Sequence, residues 1–253
     1  MYNSKAAGSV ELTMDLIRER IAQNLALVEQ RLAGACDRSG RKRTDITLVA
    51  VSKTRSPEEI LAAYACGVRH FGENRVEELQ AKVAALSRLW SAEQPEWHMI
   101  GHLQSRKARE AAALCDMLHS LDSLALAGKL DRQASQRALP LPVLVECNVS
   151  HEMSKYGFSA WDPDAWPTLA VELGRLVESA HLSVRGLMTM APIVAEPHDA
   201  RQYFSRLRGL REFLRQAVPG IGWHELSMGM TDDYEVAIEE GATMVRIGRA
   251  IFN

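Results

Sequence analysis

Residues 46–59, ITLVAVSKTRSPEE, hold an apolar run, a lysine and a helix start in that order. The run at 46–51 is apolar and partly β-branched, the composition of a strand buried on both faces. Lys53 stands just past its end. Ser56 then offers an N-cap and Pro57 fits the first helical position. Glu58 and Glu59 fall in the first turn, where the helix dipole favours acids, and Gly67 follows the end. A buried strand feeding a well-capped helix is a βα unit. Its lysine is either a solvated loop residue or a reactive amine positioned by a rigid element.

The same alternation runs outward in both directions. Upstream, Leu12, Ile17, Ile21, Leu25, Val28 and Leu32 recur at threes and fours and predict a helix, punctuated by Gly34 and Gly40. Downstream, strands are predicted at 68–72, 96–101, 117–122, 141–150, 182–192 with its exit loop, 223–227 and 242–248. Helices are predicted between them, at 75–89, 105–115, 123–138, 163–180 and 196–217, with a last one capped by Asp232.

Eight strands alternating with helices predict an α/β chain that closes as one (β/α)8 barrel of the TIM type. A doubly wound open sheet is the alternative. The expected organisation is a single domain over 1–253, with an extra N-terminal helix and loop at 1–40, the barrel at 41–253, and no β domain. Asn253 comes almost directly after the eighth strand, so the N-terminal helix is expected to cover the place of an eighth helix.

Composition excludes several classes of function. A net charge of -2 favours neither nucleic acid nor an anionic membrane. The basic cluster of Arg38 and Arg41–Arg43 reads as a solvated loop. No apolar run reaches the ~20 residues of a membrane span, and no signal-peptide core is present. Cys36, Cys66, Cys115 and Cys147 are too widely spaced for a zinc or redox motif and read as free thiols. A cytoplasmic, monomeric protein is expected.

Barrel active sites lie at the C-terminal ends of the strands. That rule gathers Lys53, the segment FGENR with Asn74, His98, His102, the loop around Lys155, and the glycine loops SMGMTDD and RIGRA at one rim. His98 and His102 read as hydrogen-bonding rim residues, because a strand and its loop give no helical H-x-x-x-H metal pair. Barrels often hold phosphate with the loops after strands seven and eight. Ser227, Gly229 and Gly248 stand there, and Arg246 precedes Gly248 at the strand end. Strands one and eight adjoin once the barrel closes, which sets an amine beside a phosphate site. Pyridoxal 5′-phosphate (PLP) carries both a phosphate and an aldehyde. Its lysine must lose a proton to attack, and an apolar strand end with Arg55 or Arg246 close by would favour that loss.

The segments VAVSKTRSPEEI, HFGENRVEEL, WHMIGHLQSRK, GLMTMAP and LSMGMTDDYEVAIEEGATMVRIGRAIF resemble the PLP homeostasis protein family, single-domain barrels related to the N-terminal half of alanine racemase. The resemblance spans the first strand to the C-terminus. It implies a PLP-binding protein of vitamin B6 and amino-acid homeostasis without dedicated catalysis, with PLP-dependent apo-enzymes as recipients. Carried over by position, Lys53 forms the Schiff base. Ser227, Met228 and Gly229, with the backbone at Gly248 and Arg249, contact the phosphate. Arg246 faces the pyridine nitrogen and Asn74 lies near the cofactor. The chain departs from the family pattern in three places: ECN (146–148) replaces QVN, Arg106 replaces an asparagine, and RAIFN replaces TAIFG.

An enzyme reading competes with the carrier reading. A racemase needs a second acid/base group, a tyrosine that a β domain supplies. Of Tyr2, Tyr64, Tyr156, Tyr203 and Tyr234, only Tyr156 is expected near the rim. A Schiff-base aldolase is a third class. Lys155 is a candidate second amine for PLP, with an exposed loop lysine as the favoured reading. Met188, Met190, Met228 and Met230 read as packing.

Overall fold

The computed structural model describes residues 3–90 and 93–253; Tyr2 and the Leu12 side chain lie outside the described residues. The N-terminal pattern forms one long helix, α1 (Asn3–Arg38), which passes through Gly34 and ends where Gly40 takes a φ of 66°. Ile21, Leu25, Val28 and Leu32 are buried along it, as their spacing predicts.

The opening stretch folds as β1 (Thr47–Val51) and α2 (Pro57–Ala65). Glu59 N–H donates to Ser56 Oγ at 3.3 Å, and Ser56 N–H donates to Glu59 Oε2 at 3.0 Å, a reciprocal capping box. The alternation continues with β2 (His70–Glu73), α3 (Val76–Leu86), β3 (Glu96–Met99), α4 (Ala108–Leu114), β4 (Met117–Leu121), α5 (Leu124–Ala134) and β5 (Leu141–Asn148). Next come β6 (Phe158–Ser159), α6 (Trp166–Gly174), β7 (Leu182–Met188), α7 (Arg201–Ala217), β8 (Glu225–Ser227), α8 (Tyr234–Glu239), β9 (Met244–Ile247) and α9 (Arg249–Phe252).

Every strand pair is parallel, and pairing of β4 with β5 closes the sheet into a barrel of eight strands. The open-sheet alternative is thereby excluded. The two-residue β6 was not expected; it adds to the end of β5 through Cys147 and Asn148, outside the barrel. The seam that matters for chemistry joins β1 to β9, with Ala50 opposite Ile247.

α9 has only four residues, and α1 packs over it and over α2 and α8. Asn24 Nδ2 donates to the carbonyls of Ile251 at 3.0 Å and Asn253 at 2.8 Å, tying α1 to that end. Most of the core lies between strands and helices. Within the barrel, Leu144, Met188 and Met244 form a small apolar layer beside Met117, and Val49 and Ile100 share the remaining interior with His98, His119, Glu146, Ser227 and Arg246. Among the described residues no helix is long and apolar enough to cross a membrane.

Candidate functional site

Lys53 leaves β1 on a tight turn. Ser52 N–H donates to Gly72 O at 3.0 Å, and Arg55 N–H donates back to Ser52 O at 3.0 Å. Thr54 takes a φ of 63°, a left-handed conformation unfavourable for a β-branched residue, and its N–H donates to Glu78 Oε2 at 3.0 Å. Beneath the turn lies a buried cluster. Lys82 Nζ donates to Ser52 O and to Glu73 Oε1, both at 2.6 Å, and Ser52 Oγ donates to Glu73 Oε1 at 2.6 Å. Burial pushes the Glu73 carboxyl up, and Lys82 and Ser52 pull it back. Lys82 shares the buried stripe of α3 with Val76, Leu79 and Leu86, though its residue type gives no sign of burial. It stands on α3 and needs the tertiary fold to meet Ser52.

The Lys53 side chain is exposed and forms no ion pair with a described residue. Arg55 turns away from it, donating to Asn253 Oδ1 at 2.8 Å and pairing with Glu59 at 3.5 Å. The expectation of a desolvated amine flanked by Arg55 is therefore corrected: what positions Lys53 is the clamp below the turn.

Across the seam stand the two glycine loops. Gly229 has a φ of 90°, and a Cβ there would lie 2.6 Å from Ala237 Cβ and 2.9 Å from Tyr234 Cα, so only glycine fits. At Gly248 a Cβ would lie 3.1 Å from Val51 O, which brings the end of β9 directly against the end of β1. The amides of Gly229, Arg249 and Ala250 find no acceptor among the described residues. Unsatisfied N–H groups on glycine-lined loops are what a phosphate requires. Asp233, and not the expected Asp232, stands at the N-cap position of α8; its Oδ1 accepts from Met230 N–H at 2.6 Å, ahead of the helix, and not from a helix amide. Asp232 instead pairs with Arg249, whose side chain is 67% exposed and points outward. Only the Arg249 backbone is placed to serve the loop. The Met228 side chain is buried in the core, and Asn74 is half-buried at the end of β2.

Arg246 is buried inside the barrel. Its Nη1 donates to Ser227 Oγ at 2.5 Å and its Nη2 to Thr189 O at 2.8 Å. Burial lowers its guanidinium to about 10, partly offset by Asp233 and Glu146, so it remains charged at neutral pH. Ser227 Oγ also lies 2.9 Å from His119 Nδ1, and His119 Nε2 lies 2.9 Å from His98 Nδ1. His98 is thus an interior residue and not a rim residue, because β3 turns it inward. Burial lowers His98 to about 3 and His119 well below its usual value, so both rings are neutral. His102 does sit at the rim, 3.0 Å from Asp122 Oδ2 and stacked on Tyr156 with ring centroids 3.7 Å apart. Lys155 is tied down where a free loop lysine was favoured: it donates to Met190 O at 2.9 Å and pairs with Glu152.

Glu146, on β5, is the buried acid among the polar interior groups. Burial, with Asp122 adding to it, raises its carboxyl to about 7 against the attraction of Arg246, and its Oε2 has no partner among the described residues. A carboxyl raised in the folded state from 4.5 to about 7 favours folding fully below pH 4.5. That contribution is lost as pH rises through about 7. Glu146→Gln removes the titration. We expect urea melts to show the variant gaining up to about 3 kcal/mol on the wild type between pH 4 and pH 8. An equal difference at both pH values would contradict the assignment.

Taken together, an amine on a clamped turn, a phosphate-ready pair of loops and a buried arginine occupy adjoining strand ends. That arrangement can hold a small molecule bearing both a phosphate and a carbonyl.

The chain is similar to known proteins over most of its length. The sequence model of the alanine racemase N-terminal domain family matches residues 19–253. The chain is 39% identical over 230 residues to the pyridoxal phosphate homeostasis protein of Aquifex aeolicus, covering 91% of this chain and 96% of that one. It is 41% identical over 236 residues to the protein of the same name from Escherichia coli K12, covering 92% and 95%. Among solved structures it resembles PipY of Synechococcus elongatus PCC7942 with PLP bound, at 36% identity and a TM-score of 0.77, over 92% of this chain and 100% of that one. Alanine racemase from Corynebacterium glutamicum, at 18% identity and a TM-score of 0.66, shares the fold over 92% of this chain and 60% of its own.

Proposed function

The chain belongs to the pyridoxal phosphate homeostasis proteins of the alanine racemase N-terminal domain family, and on that premise we propose that it binds PLP through Lys53. It serves intracellular PLP and amino-acid homeostasis and carries no dedicated catalysis. The observation that carries this reading is the β1–β9 seam, where the turn bearing Lys53 lies against Gly248. Lys53 Nζ supplies the amine for the cofactor aldehyde. The amides of Gly229, Arg249 and Ala250 hold the phosphate, with Ser227 and Met228 framing the loop. Arg246, fixed by Ser227 and Thr189, presents a charge that does not donate its proton readily. Asn74 stands at the adjoining strand end.

PLP supplies an electron-withdrawing ring that acidifies the bonds around an attached amine carbon. An arginine facing the ring nitrogen leaves that nitrogen unprotonated and weakens the effect. The tyrosines also support the carrier reading. Tyr64, Tyr203 and Tyr234 stand on α2, α7 and α8, and Tyr234 packs under Arg31 of α1. Tyr156 is stacked on His102 at the rim. The four free cysteines fit a reducing cytoplasm, and we infer a monomer that passes PLP to apo-enzymes.

The test is direct. Adding PLP to the purified chain should produce a visible absorption band at one equivalent, and the loaded protein should leave single-enantiomer amino acids unchanged. Absence of the band would remove the PLP reading. Racemisation at ordinary enzyme rates, about 1–10³ s⁻¹, would replace the carrier with an enzyme.

A further inference from the structure

A cluster of metal-ligand atoms lies at the N-terminal end of the barrel, on the face opposite Lys53. His70 begins β2, Glu96 begins β3, and His98 follows Glu96 by two residues on the same strand face. His70 Nδ1 lies 3.1 Å from His98 Nε2 and 3.3 Å from Glu96 Oε2, and His98 Nε2 lies 3.9 Å from Glu96 Oε2. Zinc bonds of about 2.0–2.1 Å at tetrahedral angles set ligand atoms about 3.3 Å apart. Two of the three separations fall within a few tenths of that edge, and the exposed Glu96 carboxylate is free to swing the remainder.

We propose that His70 Nδ1, His98 Nε2 and a Glu96 carboxylate oxygen form a site for one divalent transition-metal ion, zinc by its donor set, with the fourth position open to solvent.

The tautomers are consistent with this. His98 Nε2 offers a lone pair only if Nδ1 carries the hydrogen, and Nδ1 faces His119 Nε2 at 2.9 Å. His119 then donates from Nδ1 to Ser227 Oγ, which also accepts from Arg246. Both Ser227 lone pairs are filled and its own hydrogen is left to donate. Two polarisations satisfy the chain from Arg246 to His98; the one in which His98 Nδ1–H donates to His119 Nε2 points a lone pair at the cluster, and it is the one an ion would select. Metal-bound histidines characteristically give their second nitrogen to such a partner. With His98 so oriented, His70 Nδ1–H donates to His98 Nε2 in the metal-free form, and uptake of the ion needs only a shift of the His70 hydrogen to Nε2. Asp116, bonded to the Trp97 amide at 2.8 Å, adds a second carboxylate near the same mouth.

The site stands apart from the PLP reading, and its test is independent of it. The full chain is stripped with a chelator and titrated with zinc(II) by calorimetry and with cobalt(II) by visible spectroscopy. One equivalent should bind, with the intense band of tetrahedral cobalt and no thiolate charge transfer. His70→Ala and Glu96→Gln, both at solvent-accessible positions where folding is not at stake, should each weaken binding at least about tenfold. Uptake that is absent, that equals the wild type in His70→Ala, or that shows a thiolate band would each overturn the site.

Discussion

Lys53→Ala is expected to lose the visible PLP band completely while keeping the fold. The side chain is exposed and pairs with nothing described, so its truncation opens no cavity and strands no partner. What remains is the proposed phosphate cradle of Gly229, Arg249 and Ala250, which is untouched by the change. Residual binding should persist, weaker by at least about a hundredfold, or ~2.8 kcal/mol. Fluorescence titration measures the affinity, and absorbance measures the covalent link. A band of undiminished intensity in the variant would assign the amine elsewhere, with Lys155 the next to examine.

Lys82→Met is expected to destabilise the protein by about 3–5 kcal/mol. The substitution keeps the side-chain volume and removes the ammonium, which leaves Glu73 fully buried with Ser52 Oγ as its remaining partner. An uncompensated carboxylate there must be desolvated or take up a proton, and either is costly. The effect should reach function as well, because Lys82 also holds the Ser52 carbonyl from which the Lys53 turn departs. Adding Glu73→Gln to Lys82→Met should recover most of the lost stability, since the neutral amide still accepts from Ser52. Denaturant melts of the single and double variants check this. A double variant no more stable than Lys82→Met would show that the loss comes from packing and not from the buried charge.

These two residues illustrate how far the sequence carries. Lys53, Gly229 and Gly248 were legible because their signals are local. A strand end, a capped helix start and turn glycines are each written within a few residues. The barrel itself was legible from repetition of that unit. His119, Glu146, Thr189 and the inward turn of His98 were not. Strands buried on both faces lose the period-of-two alternation that separates inside from outside, so an inward polar residue looks like any other. Lys82 falls on the buried stripe of α3 with Val76, Leu79 and Leu86, but a lysine is ordinarily exposed and its partner Ser52 is thirty positions away. Asp232 and Asp233 are adjacent and alike in type, and only the backbone shows that Asp233, not Asp232, stands at the N-cap position of α8. The two-residue β6 is too short to leave a pattern.

Glu146 also gives a departure from the family pattern a physical meaning. A titrating carboxyl stands where the family pattern has an uncharged amide, within Coulombic reach of Arg246. PLP binding by this chain is accordingly expected to vary with pH near 7, and Glu146→Gln should flatten that dependence.

The most direct test of the central claim is borohydride reduction of the PLP-loaded protein followed by peptide mapping. One PLP per chain should be found fixed to the peptide that contains residues 52–55, on Lys53. Label on any other lysine, or none at all after loading, would contradict the account.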